Sequence, residues 1–211
     1  MSTPRSQVGI CNMALMNIGV TNFINAIDDG TPEAECCSLV WDDCLEMATA
    51  RYAWPWAIKQ AALTVLSSVT RKEWEYVYSL PTDCLVPLGL VLEDTKLEDL
   101  NPEERNVFDV VGNDAGDGKI LVTDLDSSND DFDVLLYIAK IDSPPAFSAT
   151  FSNALAWLMS SKLALGLKKD PSLSGQCLQM YEATLVQAAA EAANGRQRPL
   201  QPTTPSIAIR E

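Results

Sequence analysis

The stretch Thr31–Leu63, TPEAECCSLVWDDCLEMATARYAWPWAIKQAAL, decides the fold of this chain. Thr31 followed by Pro32 is a typical helix start, because threonine caps free amides and proline fits the first turn. Apolar residues then recur at steps of three and four, as on one face of a helix: Cys37, Val40, Trp41, Cys44, Leu45 and Ala48. The sequence therefore predicts a long core helix beginning at Pro32.

The aromatic cluster that follows this helix places large rings on both sides of a proline. Pro55 forbids simple continuation of the helix, and Trp54 and Trp56 flank it. Rings of this size usually lie at crowded positions in a protein core. We therefore predict four structural anchors, which are Trp41, Trp54, Trp56 and Trp157.

Helical spacing also occurs near both ends of the chain. Apolar residues at helical steps lead up to Gly19, and a similar pattern runs from Phe151 to Leu167. Asp170-Pro171 predicts the start of a further helix, and Asn194-Gly195 predicts its end. The chain is thus expected to return to helical structure after its middle section.

The middle section has the composition of short strands separated by turns. Aromatic, β-branched and leucine-rich runs occur at Trp74–Tyr78, Cys84–Leu92, Asn106–Val111, Lys119–Thr123 and Asp133–Ile141. Pro87 and Gly89 within the second run favour a bulged or edge strand. These runs predict a small antiparallel β unit.

Together these patterns predict an α+β protein in three parts. Residues 1–63 and 147–195 form a discontinuous antiparallel helical bundle, and residues 64–146 form an inserted β domain. Residues 196–211 are expected to be an extended C-terminal arm, because prolines recur there every three residues without a packing face.

The charge of the chain is strongly negative and unevenly distributed. Its net charge is −14, and residues 79–142 hold sixteen Asp and Glu against four Lys and Arg. Binding to phosphates needs clustered Lys and Arg, so the composition argues against a surface that grips DNA or anionic lipid. Neither a signal peptide nor an apolar run of about 18 residues is present, so we expect no membrane association.

The residue types that carry most catalysis are scarce. The chain has no histidine, and its glycines form neither GxGxxG nor a phosphate-binding loop. Its six cysteines include no CxxC pair, so we expect reduced core thiols.

Asp124-x-Asp126-x-Ser128-x-Asp130 resembles the start of a calcium loop but lacks the glycine and the glutamate that follow, which favours a solvated turn. We therefore predict no catalytic residue, metal or cofactor.

Several segments, taken in order, resemble one protein family. They are ICNMAL at Ile10–Leu15 with Gly19, Asp28-Asp29, RYAWPWA at Arg51–Ala57, YVYSLPTDCL at Tyr76–Leu85, Leu136–Ile138 and Phe147–Leu165. The family is the head-to-tail adaptor of short-tailed bacteriophages, also called tail tubular protein A. The resemblance spans about residues 8–190. The segments 93–133 and 196–211 match no pattern of that family, and a phenylalanine is more usual where Trp56 stands.

The resemblance implies a structural virion protein without enzymatic activity. It implies a ring of identical subunits, expected to be a dodecamer, between the portal protein and the tail nozzle, with contacts to tail fibres as a further expectation. Double-stranded DNA would pass through the ring without sequence-specific binding. The ring would assemble in the host bacterial cytoplasm and remain in the neck of the virion. Residues expected to contact the portal are Arg196, Arg198, Pro199, Ile207, Ile209 and Arg210.

Two alternatives from other functional classes stay open on the residues alone. A carboxylate-based hydrolase acting on the cell envelope requires a close Asp/Glu pair in a cleft, with one perturbed pKa. An acidic regulator that mimics DNA requires carboxylates at phosphate-like spacing on one face of a monomer or dimer. Neither alternative requires a ring.

Overall fold

The computed structural model describes residues 6–92, 108–114, 116, 118–127 and 132–195. Over these residues the protein is mixed α+β, with four α-helices and two antiparallel sheets. The α+β class expected from the sequence is therefore confirmed. The expected arm and its portal-contact residues lie outside the described residues.

The four helices begin at side-chain caps that satisfy their first free amides. Thr31 Oγ1 accepts a 3.2 Å hydrogen bond from the Ala34 amide, and the Asp170 carboxylate accepts one of 3.0 Å from Leu173. Both starts predicted from the sequence are thus confirmed. The helices are α1 (Gln7–Asn17), α2 (Pro32–Ala50), α3 (Ala149–Leu163) and α4 (Pro171–Asn194), with a π-helical turn at Ala164–Lys168 after α3.

Between α2 and α3, the described residues form seven strands in two sheets. They are β1 (Ile58–Ala61), β2 (Thr64–Val65), β3 (Tyr76–Ser79), β4 (Cys84–Val91), β5 (Phe108–Gly112), β6 (Lys119–Thr123) and β7 (Val134–Ala139). The first sheet has the order β1-β7-β4 and the second β2-β3-β6-β5. Side chains from both sheets share one apolar cluster around Tyr78, Leu121, Phe132 and Leu135, so the sheets pack on one another.

Strand β1 begins earlier than the sequence led us to expect. The sequence places the start of the β insertion at residue 64, whereas Ile58 already pairs with Ile138 of β7. A four-residue run carries too little periodicity to separate a strand from a helix end, and tertiary pairing with β7 decides the outcome. Sheet structure therefore starts immediately after the Trp54-Pro55-Trp56 turn.

Strand β4 has the irregularity that its proline and glycine predicted. Its pairing with β7 shifts register between Cys84 and Val86 and again between Pro87 and Gly89. It lies at the edge of its sheet, where a residue without an amide hydrogen is tolerated. The expectation of a bulged or edge strand is confirmed on both counts.

Helix α3 is the centre of the helical part. It packs against α1, α2 and α4, and most of its side chains are buried. Its polar Ser160 is wholly buried as well. The Ser160 hydroxyl tolerates this burial because it lies within hydrogen-bond distance of two carbonyls, 2.7 Å from that of Ala156 and 3.1 Å from that of Ala14 on α1. The two stretches of helix that flank the sheets in sequence therefore share one core.

Two glycines of the helical part predict opposite responses to the same substitution. Gly19 follows α1 with φ +69°, a conformation that L side chains rarely adopt. Gly175 lies within α4, where an added Cβ would meet no atom within 4 Å. We expect Gly19→Ala to lower the free energy of unfolding by about 1 kcal/mol and Gly175→Ala to raise it by about 0.5–1 kcal/mol. Urea unfolding of both variants measures this, and shifts of the same sign would contradict it.

Candidate functional site

The candidate site is built on a cluster of aromatic rings where the helices meet the sheets. Trp54 is completely buried, and its indole nitrogen donates a 3.3 Å hydrogen bond to the carbonyl of Ala48 at the end of α2. Its ring stacks on that of Trp56, with centroids 6.0 Å apart, and meets Tyr52 edge-on at 5.1 Å. The turn after α2 is therefore fixed by its own rings.

The segment that returns from the sheets to α3 completes this cluster. Phe147 lies 4.9 Å from Trp56, and Phe151 of α3 lies 4.9 Å from Trp54 and 4.8 Å from Trp56, as measured between ring centroids. We call Tyr52, Trp54, Trp56, Phe147 and Phe151 the aromatic junction. It joins the two places where the chain passes between helices and sheets.

The four tryptophans predicted as anchors differ in their burial. Trp54 and Trp41 are buried, with 0% and 6% of their surface exposed, whereas Trp56 and Trp157 are half-buried. All four contact the same helical core. Within the aromatic junction, Trp54 is thus the ring with the most surface removed from water.

Hydrogen bonds and an ion pair reinforce the junction on the side of the sheets. The Ala139 amide donates to the Ala57 carbonyl at 2.8 Å, which joins the outgoing and returning passages directly. The Lys140 ammonium lies 2.9 Å from Glu46 and 3.5 Å from Asp42, both on α2. Its hydrogen bond to Glu46 raises the pKa of Lys140, so the lysine stays charged and ties the end of β7 to α2.

A groove of about 720 Å³ opens beside this ion pair. Glu46, Met47 and Ala50 of α2 form one wall, and the turn from Leu80 to Leu85 forms another. Lys119 and Lys140 line it together with Glu46 and Asp83, so both signs of charge alternate with apolar surface. Such a lining suits a mixed polar and apolar protein surface better than a compact phosphate, which needs clustered cations.

The carboxylates with shifted pKa values do not have the property that a general acid requires. The Lys59 ammonium, 2.7 Å away, holds the pKa of Asp83 below its usual value, and Arg71 does the same for Asp114. A general acid near neutral pH needs a raised carboxyl pKa instead. Burial and the contact with Asp83 raise the pKa of Tyr137 to about 12, which keeps its hydroxyl protonated.

The acidic segment that resembles a calcium loop uses its first two carboxylates for structure. Asp124 accepts a hydrogen bond from the Glu75 amide at 3.1 Å, and Asp126 accepts one from the Tyr76 hydroxyl at 3.2 Å. Ser128 and Asp130 lie outside the described residues. Within the described part of the chain, no group of three or more Cys, Asp or Glu side chains is arranged to hold a metal ion.

Exposed apolar side chains on α2 and α4 were missed by the sequence reasoning. Leu39 on α2 is 81% exposed and Val186 on α4 is 69% exposed, and Met47, Leu178 and Met180 are also exposed. Leu39 precedes Val40 and Val186 follows Leu185, so each lies one position away from the apolar face of its helix. This offset of one position is the feature of the sequence that indicates exposure of both side chains.

No described helix is both long and apolar enough to span a membrane.

A comparison of the sequence with known protein families finds no match, and no curated protein matches it either. The function of the chain therefore has to be argued from its own residues and geometry.

The difference in burial between Trp54 and Trp56 predicts a difference in stability. We expect Trp54→Ala to lower the free energy of unfolding by about 3–5 kcal/mol, because it opens a cavity within a completely buried contact. Trp56→Ala should cost clearly less, because water already reaches part of that ring. Urea unfolding, monitored by circular dichroism, measures both losses of stability. An equal or larger loss for Trp56→Ala would show that Trp54 is not the principal anchor.

The contact between Lys59 and Asp83 predicts a dependence of stability on pH. Since folding lowers the pKa of Asp83, its contribution is present above the usual carboxyl pKa and disappears as the pH falls through the folded value. Both partners are partly exposed, so Asp83→Asn should cost only about 0.5 kcal/mol at neutral pH. The difference from the original protein should shrink as the pH falls below the usual carboxyl pKa and through the lowered folded value. The exposed Asp28→Asn serves as control, and a cost that persists in acid would contradict the assignment.

Proposed function

We propose that this chain is a head-to-tail adaptor of a short-tailed bacteriophage. Twelve copies form a ring in the neck of the virion, joining the portal protein above to the tail nozzle below. The chain assembles in the bacterial cytoplasm, needs no cofactor and catalyses no reaction.

The observation that carries this proposal is where the family-like segments lie in the structure. ICNMAL belongs to α1, RYAWPWA follows α2 and supplies the aromatic junction, and YVYSLPTDCL spans β3, a turn and the start of β4. Leu136–Ile138 lies in β7, and Phe147–Leu165 covers α3. The resemblance therefore follows the elements that build the core and the junction, in their order along the chain.

The proposed architecture is a discontinuous helical bundle carrying the sheets as an insertion. In support, α1, α2 and α4 all pack on α3, although the β strands separate α2 from α3 in sequence. The aromatic junction brings the outgoing and returning passages together, as an insertion requires. The arm expected at residues 196–211 lies outside the described residues and enters this architecture only as part of the proposal.

Exposed apolar residues on the helices support contacts with neighbouring subunits and with the portal. Removing exposed side chains such as Leu39 and Val186 from water lowers the free energy of the complex with a partner. In the proposed ring, the helical part meets neighbouring copies and the portal. The acidic sheets then face the nozzle or the tail fibres.

The negative charge of the chain supports a channel through which DNA slides. A surface that carries excess carboxylates repels phosphates, which weakens any attraction to DNA. We propose that double-stranded DNA passes through the ring without binding. A ring whose channel is lined mainly by Lys and Arg would contradict this part of the proposal.

The portal-contact role of the arm gives the test of the whole proposal. The full chain, a variant that ends at Gly195, and a full-length Ile207→Ser/Ile209→Ser variant are each mixed with the portal protein of the same phage. Native mass spectrometry then measures the masses of the complexes. We expect the full chain to add twelve copies to the portal, and both variants to bind at least tenfold more weakly, because anchoring side chains are lost.

Circular dichroism and thermal unfolding of the isolated variants serve as the control. Both should fold as the full chain does, since residues up to Ala192 already form a continuous helical core. Unchanged binding by both variants would remove the arm from the portal contact. Failure of the full chain itself to bind the portal would contradict the adaptor function.

A further inference from the structure

One side of α4 is apolar, exposed and almost free of charge. Its side chains follow one another at steps of three or four residues, as on one side of a helix, and we call them the α4 face: Met180, Ala183, Val186 and Ala190. Over the 24 residues of α4, only Glu182 and Glu191 carry a charge. Since all four side chains of the α4 face are exposed, no described part of the chain covers it.

An ion pair lies at the border of the α4 face. Glu182, next to Ala183 in sequence, lies 3.3 Å from Arg51 at the end of α2, and both charged side chains are about half exposed. Each copy of the chain therefore offers one cation and one anion beside an apolar surface. Such a border is complementary to itself, because a two-fold rotation brings Arg51 of one copy to Glu182 of the other and the reverse.

Helix α2 also exposes an apolar residue, but its surroundings are not complementary to themselves. Leu39 has Glu35 and Asp43 one turn away on either side. Asp43 has Lys162 at 3.6 Å, whereas Glu35 has no ion-pair partner among the described residues. A two-fold rotation there would bring carboxylates of two copies together, which costs free energy. The charges therefore favour α4 over α2 as the place where identical chains meet.

We propose that two copies of the isolated chain pair through the α4 face, with their α4 helices antiparallel about a two-fold axis near Glu182 and Ala183. The pair removes the apolar side chains of both copies from water, and Arg51 and Glu182 pair between copies at the border. A two-fold contact uses the same surface on both copies, so association stops at two. A helix of 24 residues is about 36 Å long, and a single helix–helix contact of that length is small for a stable dimer, so the pair is weak.

This pairing goes beyond the proposed function, because it concerns the chain before assembly. In the proposed ring, a neighbour related by the ring axis, and not by a two-fold axis, lies next to each copy. One face of α4 cannot serve both contacts at once, so the pair separates before a ring forms. The experiment below uses the isolated chain, and its result does not depend on whether the chain binds a portal.

Sedimentation equilibrium of the full-length chain measures the association directly. The chain is studied from micromolar to millimolar concentration at physiological ionic strength, which screens the repulsion between two net negative charges. We expect a reversible equilibrium between monomer and dimer. Val186→Ser should weaken it at least about tenfold, because each pair loses two buried valine side chains. Leu39→Ser removes an apolar side chain that is even more exposed, and this matched control should leave the association unchanged.

Charge reversal separates contacts between copies from contacts within one copy. Arg51→Glu leaves only anions at the border and Glu182→Arg leaves only cations, so neither variant should pair with itself. Mixed in equal amounts, the two variants should form a hetero-pair, since each glutamate of one copy then meets an arginine of the other. Native mass spectrometry identifies the hetero-pair when one variant is isotopically labelled. Both side chains are partly exposed, so circular dichroism should show that each variant folds as the original chain does.

Four results would overturn the proposal. The first is a chain that stays monomeric at millimolar concentration, and the second is a pair that Val186→Ser does not weaken. The third is a mixture of the two charge variants without hetero-pairs, and the fourth is an open series of larger oligomers. If the monomeric chain were to pair only after removal of residues 196–211, the α4 face would belong to that segment and not to a second copy.

Discussion

The contact on which the structure depends is that of Trp54 and Trp56 with Phe147 and Phe151. Each edge-on ring pair is worth about 0.5–1.5 kcal/mol beyond the surface it buries, and four inter-segment or stacked contacts converge here. Without these contacts, two separate backbone passages would connect the sheets to the helices. With them, the two passages are held side by side, and the hydrogen bond from Ala139 to Ala57 joins the chain that enters β1 to the end of β7.

Fixing the two passages at one place has consequences for both halves of the molecule. On the helical side, Phe151 belongs to the first turn of α3, so the junction positions the helix on which the other three pack. On the sheet side, Lys140 directly after β7 pairs with Glu46 and Asp42 of α2. At the junction, buried aromatic packing thus contributes more to stability than the partly exposed ion pairs do. A junction of this kind suits a subunit whose two halves meet different partners, as in the proposed adaptor.

Local chemistry made some elements predictable and left others to tertiary contacts. Thr31-Pro32 and Asp170-Pro171 identify helix starts because cap and first turn interact within four residues, and Lys119–Thr123 coincides with β6. Strand β1 escaped prediction because only β7, far away in sequence, gives Ile58–Ala61 its partner. For the candidate site, the importance of Trp54 and Trp56 follows from their place beside Pro55. Their packing on Phe147 and Phe151 does not, since nothing local indicates which distant rings will meet.

The distribution of charge limits which surfaces of this acidic protein can meet another copy. Identical chains of net charge −14 repel one another unless the contact avoids the carboxylates. Helix α2 carries five acidic residues and no basic one, and although Lys140 and Lys162 pair with three of them, the remaining Glu33 and Glu35 oppose self-contact near its first turn. Helix α4 has only Glu182 and Glu191 over 24 residues, and Arg51 already pairs with Glu182. The outer face of α4, with Leu178 and Val186 exposed, therefore offers apolar surface at the lowest electrostatic cost. In the proposed ring, α4 therefore forms the contact between subunits, and α2 and the acidic sheets meet other partners.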